Sequence, residues 1–289
     1  MQAAIYGFSG TGLTADERDF FRDADPAGYI LFQRNCESPE QLRALTAELR
    51  ALHGRGDVPI LIDQEGGRVA RMRPPAWPEF PEAGRFAELY AKAPISAIEA
   101  ARVNAEAIAV MLSEVGINVN CLPLLDVRQA GASDIIGDRA LGTEPMQVAA
   151  LGRAVIDGLR SGGVVGVVKH MPGHGRARSD SHVELPVVDA PEEALELDLE
   201  PFRTLRDAPM GMTCHIVYTA WDAGRAASLS PVVIGDRASG DDVLQVASLG
   251  RAVLDGLAAG GVVGVVKHMP GHGRARADSH HQLPLIDAD

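Results

Sequence analysis

The first segment whose residue types suggest chemistry is IDQEGGRV, at residues 62–69. Asp63 directly follows an apolar run, and the two glycines after it permit a tight backbone course beside a ligand. A carboxylate in this place can accept hydrogen bonds from two hydroxyl groups of a bound molecule. Asp63 could equally cap the turn that follows it. This motif therefore leaves a binding role and a structural role open.

A second segment, residues 168–182, combines a lysine with three histidines in a stretch interrupted by proline and glycine. Packing does not explain this composition, so we predict a long, mobile and functional loop. Within it, Asp180 could orient the ring of His182, which could then transfer a proton near neutral pH. His170 and His174 have the spacing of a metal-binding pair, but the Pro-Gly dipeptide between them prevents the helix on which such a pair normally acts. We therefore expect no metal here.

Other binding signatures are weak. Residues 7–12, GFSGTG, do not match the dinucleotide-binding fingerprint, and the phosphate-binding P-loop pattern does not occur. Arg139 could hold an anionic or hydroxylated ligand, or pair with a neighbouring acid. The sequence alone slightly favours the pairing with a neighbouring acid.

Composition excludes several classes of protein. The 289 residues include 27 Lys and Arg against 39 Asp and Glu, and the resulting charge of −12 disfavours nucleic acid as a partner. No stretch approaches the roughly 20 apolar residues of a membrane span, and the first residues do not resemble a secretory leader. The three cysteines lie far apart, which indicates neither disulfides nor a thiolate zinc site. We expect a cytoplasmic protein without a membrane partner.

The elements that must position these motifs alternate between strands and helices. Apolar runs at residues 29–32 and 58–62 flank a helix that Ser38 and Pro39 begin, which makes a β-α-β unit. The pattern continues through predicted strands at 117–121, 164–168, 185–188 and 211–218, and Gly116 is a predicted helix C-cap. Polar residues concentrate just after the strands: Asp63, Gln64, Glu65, Asp126, Lys169, His170 and His215. An α/β fold of the (β/α)₈ barrel type fits this better than an open doubly wound sheet.

The chain contains a long internal repeat. Residues 137–190 recur as residues 235–288, with 40 of 54 positions identical, and 44 residues of unrelated sequence lie between the copies. Solenoid repeats are shorter and contiguous, so this is a duplication of another kind.

Four motifs carry a family resemblance: GYILF followed by RN at residues 28–35, DQEGGRV at 63–69, KHMPGHG at 169–175 and DSH at 180–182. In this order and spacing they resemble the bacterial β-N-acetylhexosaminidases of glycoside hydrolase family 3, over about residues 1–234. The resemblance implies a cytoplasmic TIM-like barrel. It also implies an enzyme that removes terminal β-linked N-acetylglucosamine from peptidoglycan fragments, with no cofactor and no metal.

The resemblance also implies roles for single residues. His182 matches the general acid/base on a mobile loop, and Asp180 matches the partner that orients it. Sugar-binding positions are matched by Asp63, Arg71, Arg139, Lys169 and His170. Retaining glycosidases usually pair two carboxylates; the family resembles that scheme with His as the acid and an Asp as the nucleophile.

After Ile234 the chain departs from the family, whose next strand ends in a Ser-Asp-Asp type motif that supplies the nucleophile. Here the repeat begins instead, and its strand leads to Lys267 and His268. Three hypotheses follow: a retaining hydrolase, a sugar-binding barrel whose catalysis is impaired or lost, and, least favoured, metal-dependent hydrolysis by His170, His174 and His182. We expect residues 1–234 to form barrel strands 1–6 and residues 235–289 to complete or decorate the barrel, in a monomer or a swapped dimer, because unpaired sheet edges are avoided.

Overall fold

The computed structural model describes residues 2–181, 184–234 and 263–264, and a parallel sheet lies at its centre. Seven strands pair in the order in which the chain reaches them, and all six pairings are parallel. They are β1 (Gln2–Tyr6), β2 (Pro26–Leu31), β3 (Ile60–Ile62), β4 (Val119–Asn120), β5 (Val165–Met171), β7 (Met210–Thr213) and β9 (Val263–Gly264). Such an order, with no reversal, is that of a TIM-like barrel and not of a doubly wound sheet.

The helices cover one face of this sheet. They are α1 (Ala15–Ala24), α2 (Pro39–Ala51), α3 (Ala83–Tyr90), α4 (Pro94–Glu114), α5 (Pro145–Ser161), α6 (Glu192–Thr204) and the short α7 (Pro231–Ile234). The predicted start of α2 is confirmed, because the Ser38 hydroxyl accepts a hydrogen bond from the Gln41 amide at 3.2 Å. Gly116 lies just beyond α4 with a φ of 78°, as predicted for a helix C-terminus. No described helix is both long and apolar enough to span a membrane.

Two apolar layers explain why continuous apolar runs became strands. Side chains on one face of the sheet pack against the helices in a large core that includes Tyr29, Leu31, Ile60 and Ile62. Side chains on the other face form a second cluster: Ile5, Ile30, Phe32, Leu61, Val119, Cys121, Val167, Met210 and Met212. A sheet buried on both faces is what such sequences require. The predicted α/β class with a TIM-like sheet is therefore confirmed, and the sheet is open among the described residues.

One predicted strand is wrong. Residues 211–218 do not form a single strand; β7 ends at Thr213, and Val217–Tyr218 (β8) pairs with Val187–Val188 (β6) in a separate two-stranded sheet. The predicted strand at 185–188 therefore lies outside the main sheet. Both short strands belong to a third apolar cluster that includes Leu195 and Ile216. Because Ile216 and Tyr218 are buried in this cluster, the chain leaves the main sheet after β7.

Four elements had no prediction: β1, α1, α3 and α7. A signal for α1 was present, since Thr14 and Glu17 form a capping box at its start. On the far edge of the sheet, Val263 and Gly264 pair with Met210 and Gly211. The other residues of the second copy, including the predicted run at 283–286 and the Lys267-His268 pair, lie outside the described residues.

Candidate active site

A buried cluster of charged side chains lies at the carboxyl ends of the central strands. Asp63 follows β3, and Lys169 lies near the end of β5. The Lys169 ammonium is 3.1 Å from Asp63 Oδ1 and 2.6 Å from Glu65 Oε1, and only 2 % of its side chain is exposed. The predicted residues Asp63 and Lys169 are thus brought together, 106 positions apart in sequence. Both contacts are short enough for charge-assisted hydrogen bonds.

Two arginines complete this cluster. Arg139, at the end of a short 3₁₀ turn, donates Nε and Nη2 to the two oxygens of Glu65, both at 2.9 Å. The paired-acid alternative for Arg139 is therefore what the structure shows. Arg71 Nη2 lies 3.4 Å from Asp63 Oδ2, and its buried Nε has no hydrogen-bond partner among the described residues. Buried donors in proteins usually have a partner, so this Nε is an unsatisfied donor of the site.

The glutamine inside the motif holds the loop that carries Arg71. The Gln64 side-chain oxygen accepts hydrogen bonds from the amides of Arg71 and Met72 at 2.8 and 3.0 Å. The backbone of Gln64 is in turn held by the side-chain amide of Asn120, at 3.0 and 2.9 Å. These hydrogen bonds fix the loop after β3 against β4, and the side chains of Asp63 and Arg71 are thereby held next to each other.

The electrostatics of the cluster are balanced. Burial by itself raises the pKa of Glu65, but Arg139 and Lys169 outweigh it and lower that pKa to about 2. Burial also opposes the charge of Lys169, yet Glu65 and Asp63 leave its pKa above the ordinary value. For Arg139, burial is likewise outweighed by Glu65, Asp126 and Asp63, so its pKa is raised. All these groups are therefore charged near neutral pH.

His170 is held as a neutral ring. Its Nδ1 lies 2.7 Å from Asp126 Oδ2, and Asp126 Oδ1 accepts the amides of His170 and His174 at 3.2 and 2.6 Å. Burial lowers the pKa of His170 to about 4, outweighing the opposite effect of Asp126. Because an ionised Asp126 only accepts, the neutral ring carries its hydrogen on Nδ1 and leaves the Nε2 lone pair for a ligand.

The loop after β5 is only partly exposed. Pro172, Gly173, His174, Gly175 and Ala177 are buried, whereas Arg178 is exposed. Cis peptide bonds join Lys169 to His170 and Met171 to Pro172. Asp180 is half-buried, and its carbonyl accepts the Glu184 amide at 3.1 Å. His182 lies outside the described residues, so the predicted Asp180–His182 dyad stays a prediction.

Two residues of this site were missed as site residues. Glu65 joins Lys169 to Arg139, and Asp126 sets the ring of His170. The sequence contains a signal for both, because each is one of the polar residues that follow a predicted strand. In the part of the chain that the structure describes, no three His, Cys, Asp or Glu side chains are grouped to hold a metal ion. The Nδ1 atom of His215 lies 2.6 Å from the Ser228 hydroxyl.

Comparison with known proteins places these residues in a family context. The family model of the glycosyl hydrolase family 3 N terminal domain matches residues 11–235 and, separately, residues 229–289. A protein of Alkalilimnicola ehrlichii named Beta-hexosaminidase is 40% identical over 221 residues, which is 75% of this chain and 63% of that protein. Another Beta-hexosaminidase, from Methylococcus capsulatus, is 40% identical over 230 residues, or 78% of this chain and 66% of that protein. The chain therefore spans just under two thirds of the length of these curated relatives.

A solved structure is similar in fold and sequence. NagZ from Neisseria gonorrhoeae in complex with N-trifluoroacetyl-D-glucosamine aligns with a TM-score of 0.75 and 34% identity. The alignment covers 80% of this chain and 67% of that one.

Proposed function

This chain belongs to glycoside hydrolase family 3, and from that premise we propose that it is a β-N-acetylhexosaminidase. The proposed reaction removes terminal β-linked N-acetylglucosamine from peptidoglycan fragments by a retaining mechanism. Relatives named Beta-hexosaminidase support the reaction class. A similar protein in complex with a glucosamine derivative supports the sugar.

The observation that carries the proposal is the charge balance of the site. The site contains three carboxylates and three cations. The carboxylates are Asp63, Glu65 and Asp126, and the cations are Arg71, Arg139 and Lys169. A balanced site gains little from an anionic ligand such as a phosphate. An uncharged sugar fits it, because hydroxyl groups donate to carboxylates and accept from cations without adding buried charge.

The binding roles follow from this arrangement. Asp63 accepts hydroxyl hydrogens, while Lys169 and the unpartnered Nε of Arg71 donate to ligand oxygens. His170 presents Nε2 as an acceptor, because Asp126 holds its other nitrogen. Arg139 acts chiefly through Glu65, which it keeps ionised beside Lys169.

In the proposed chemistry, His182 is the acid that protonates the leaving oxygen and then the base that activates water. Asp180 orients it and stabilises its charged form. A retaining reaction also requires an Asp nucleophile, and the sequence after Ile234 has no Ser-Asp-Asp type motif. Whether turnover occurs is therefore the first quantity to measure.

We also propose that the protein works in the cytoplasm, without a cofactor. Cys36, Cys121 and Cys214 are not joined in disulfides, which suits a reducing compartment. Residues 1–234 supply barrel strands 1–6 and residues 235–289 complete or decorate the barrel, in a monomer or a swapped dimer. Support comes from the pairing of Val263 and Gly264 with β7. Native mass spectrometry distinguishes a monomer from a dimer and so decides between these assemblies.

The test uses a chromogenic β-N-acetylglucosaminide, with and without a chelator, and calorimetric binding of N-acetylglucosamine in parallel. Release that a chelator does not affect supports the proposal. Binding without release supports the sugar-binding barrel instead. Release that a chelator abolishes indicates a metal. If the protein neither binds the sugar nor releases the chromophore, the proposal is refuted.

A matched pair of variants tests the acid. His182→Ala should lower release by about 10²–10⁴-fold, the usual contribution of a general acid or base. His280→Ala changes the corresponding residue of the second copy and should leave release unchanged. The opposite result would assign the acid role to the second copy.

A further inference from the structure

The loop after β5 has a root that is fixed to the rest of the barrel. The amides of Gln129 and Ser133 donate to the carbonyls of Gly175 and Ala177 at 2.9 and 2.8 Å. At Gly175 an added Cβ would lie 2.0 Å from the Val127 carbonyl oxygen, so only glycine allows this approach. The root therefore does not share the mobility predicted for the whole loop.

One buried ion pair joins this root to α6. Arg176 Nε donates to Asp198 Oδ2 at 2.5 Å, and Arg176 Nη2 donates to the Ala194 carbonyl at 2.8 Å. Asp198 is 2 % exposed. Gly173 lies directly against it, since a Cβ at Gly173 would be 3.1 Å from the Asp198 Cβ. The hydroxyl of Tyr218 holds the same turn by donating to the Gly173 carbonyl at 2.5 Å.

The buried position of Asp198 lowers the stability of the fold. Its Oδ1 is buried and has no hydrogen-bond partner among the described residues. Burial raises the pKa of Asp198 to about 6, although Arg176 acts in the opposite direction. A buried carboxylate with one oxygen unsatisfied costs free energy. An apolar residue would pack there without that cost, so stability alone does not explain the pair.

We propose that Asp198 and Arg176 are positioning residues for the acid-bearing segment of this loop. Arg176 is followed within six positions by Asp180 and His182, so the point at which the root is fastened sets the reach of that segment. The contact of His174 Nε2 with the Ser181 hydroxyl, at 3.3 Å, joins the same root to the segment. The kinetic effect expected for this pair rests on the proposed function, whereas the effect on the position of the loop does not.

The kinetic test compares two aryl β-N-acetylglucosaminides, one with a good leaving group that needs little protonation and one with a poor leaving group. Asp198→Asn keeps the shape and removes the charge. Because kcat/KM reports the step in which the acid protonates the leaving oxygen, we expect a fall of about 10–100-fold for the poor leaving group. For the good leaving group we expect less than about threefold.

A merely structural role gives a different pattern. Loss of folded protein lowers kcat/KM equally for both substrates, and an equal fall would overturn the proposal. Asp207→Asn is the matched control, because Asp207 forms an exposed pair with Arg153; it should change neither value. If Asp198→Asn does not fold, Arg176→Lys retains the charge and should show a smaller change of the same kind.

A second readout does not depend on hydrolase activity. Arg178 is exposed just beyond the root, so trypsin cleavage after it reports release of the segment, and the fragment mass separates it from cleavage after Arg276 in the second copy. We expect cleavage after Arg178 to be at least tenfold faster in Asp198→Asn. If the protein shows no turnover but cleavage after Arg178 is still faster in Asp198→Asn, the positioning role is supported and the proposed function is refuted. Unchanged cleavage, with or without turnover, overturns the positioning role.

Discussion

Lys169→Met offers the most direct test of how the site is held together. The methionine keeps most of the side-chain volume but removes the ammonium that contacts Asp63 and Glu65 at 3.1 and 2.6 Å. Both carboxylates are 5 % exposed, so water cannot replace the lost cation. Removing one partner from a buried ion pair leaves an uncompensated buried charge.

The expected loss follows from which contacts survive. Glu65 keeps both hydrogen bonds from Arg139 at 2.9 Å, whereas the contact of Asp63 with Arg71 is longer, at 3.4 Å. Breaking a buried pair costs about 3–5 kcal/mol. We therefore expect the free energy of unfolding to fall by about 3 kcal/mol and the melting temperature to fall by about 10 °C.

Urea denaturation at pH 7 and at pH 4 measures this effect and its sign. In the wild type the pKa of Glu65 is about 2, below its ordinary value, so its contribution to stability is complete above pH 4.5 and is lost as the pH falls towards 2. In Lys169→Met, Glu65 has lost one cation and its pKa is higher. The folded variant then takes up protons at a higher pH than the wild type does. The stability gap should therefore be smaller at pH 4 than at pH 7.

The control is Lys92→Met, since Lys92 is exposed and should change stability by less than about 0.5 kcal/mol. The double variant Lys169→Met with Asp63→Asn removes both charges and should be more stable than Lys169→Met alone. An unfolding free energy for Lys169→Met within about 0.5 kcal/mol of the wild type at pH 7 would refute the account of the cluster.

Two further changes test other parts of the site. Asp126→Asn should weaken binding of N-acetylglucosamine about tenfold by calorimetry, because an amide can donate to the His170 ring and reverse its tautomer; unchanged affinity would contradict the role given to His170 Nε2. Gly175→Ala should lower the unfolding free energy in urea by about 1–3 kcal/mol, since its Cβ would collide with the Val127 carbonyl. Gly12→Ala, where nothing lies within 4 Å of the new Cβ, should be neutral, and an equal loss in both variants would refute the steric argument.

Local patterns in the sequence predicted much of the scaffold. The apolar runs at 29–32 and 58–62 are buried strands, and Ser38 begins α2 as expected. These predictions hold because burial on both faces and helix capping depend on residues that are neighbours in sequence. The strand at 211–218 failed for the opposite reason, since its second half follows a distant partner at 187–188.

The candidate site shows the same division. From the sequence alone, polar side chains were expected at strand ends, and Asp63, Lys169 and His170 were singled out with the chemistry that each residue type allows. Only the tertiary structure decided which charges meet: Lys169 with Glu65, Asp126 with His170, and Arg176 with Asp198. Parallel strands bring residues a hundred positions apart to one edge. Residue type sets what a side chain can donate or accept, whereas the pairing of buried charges depends on distances that no local pattern contains.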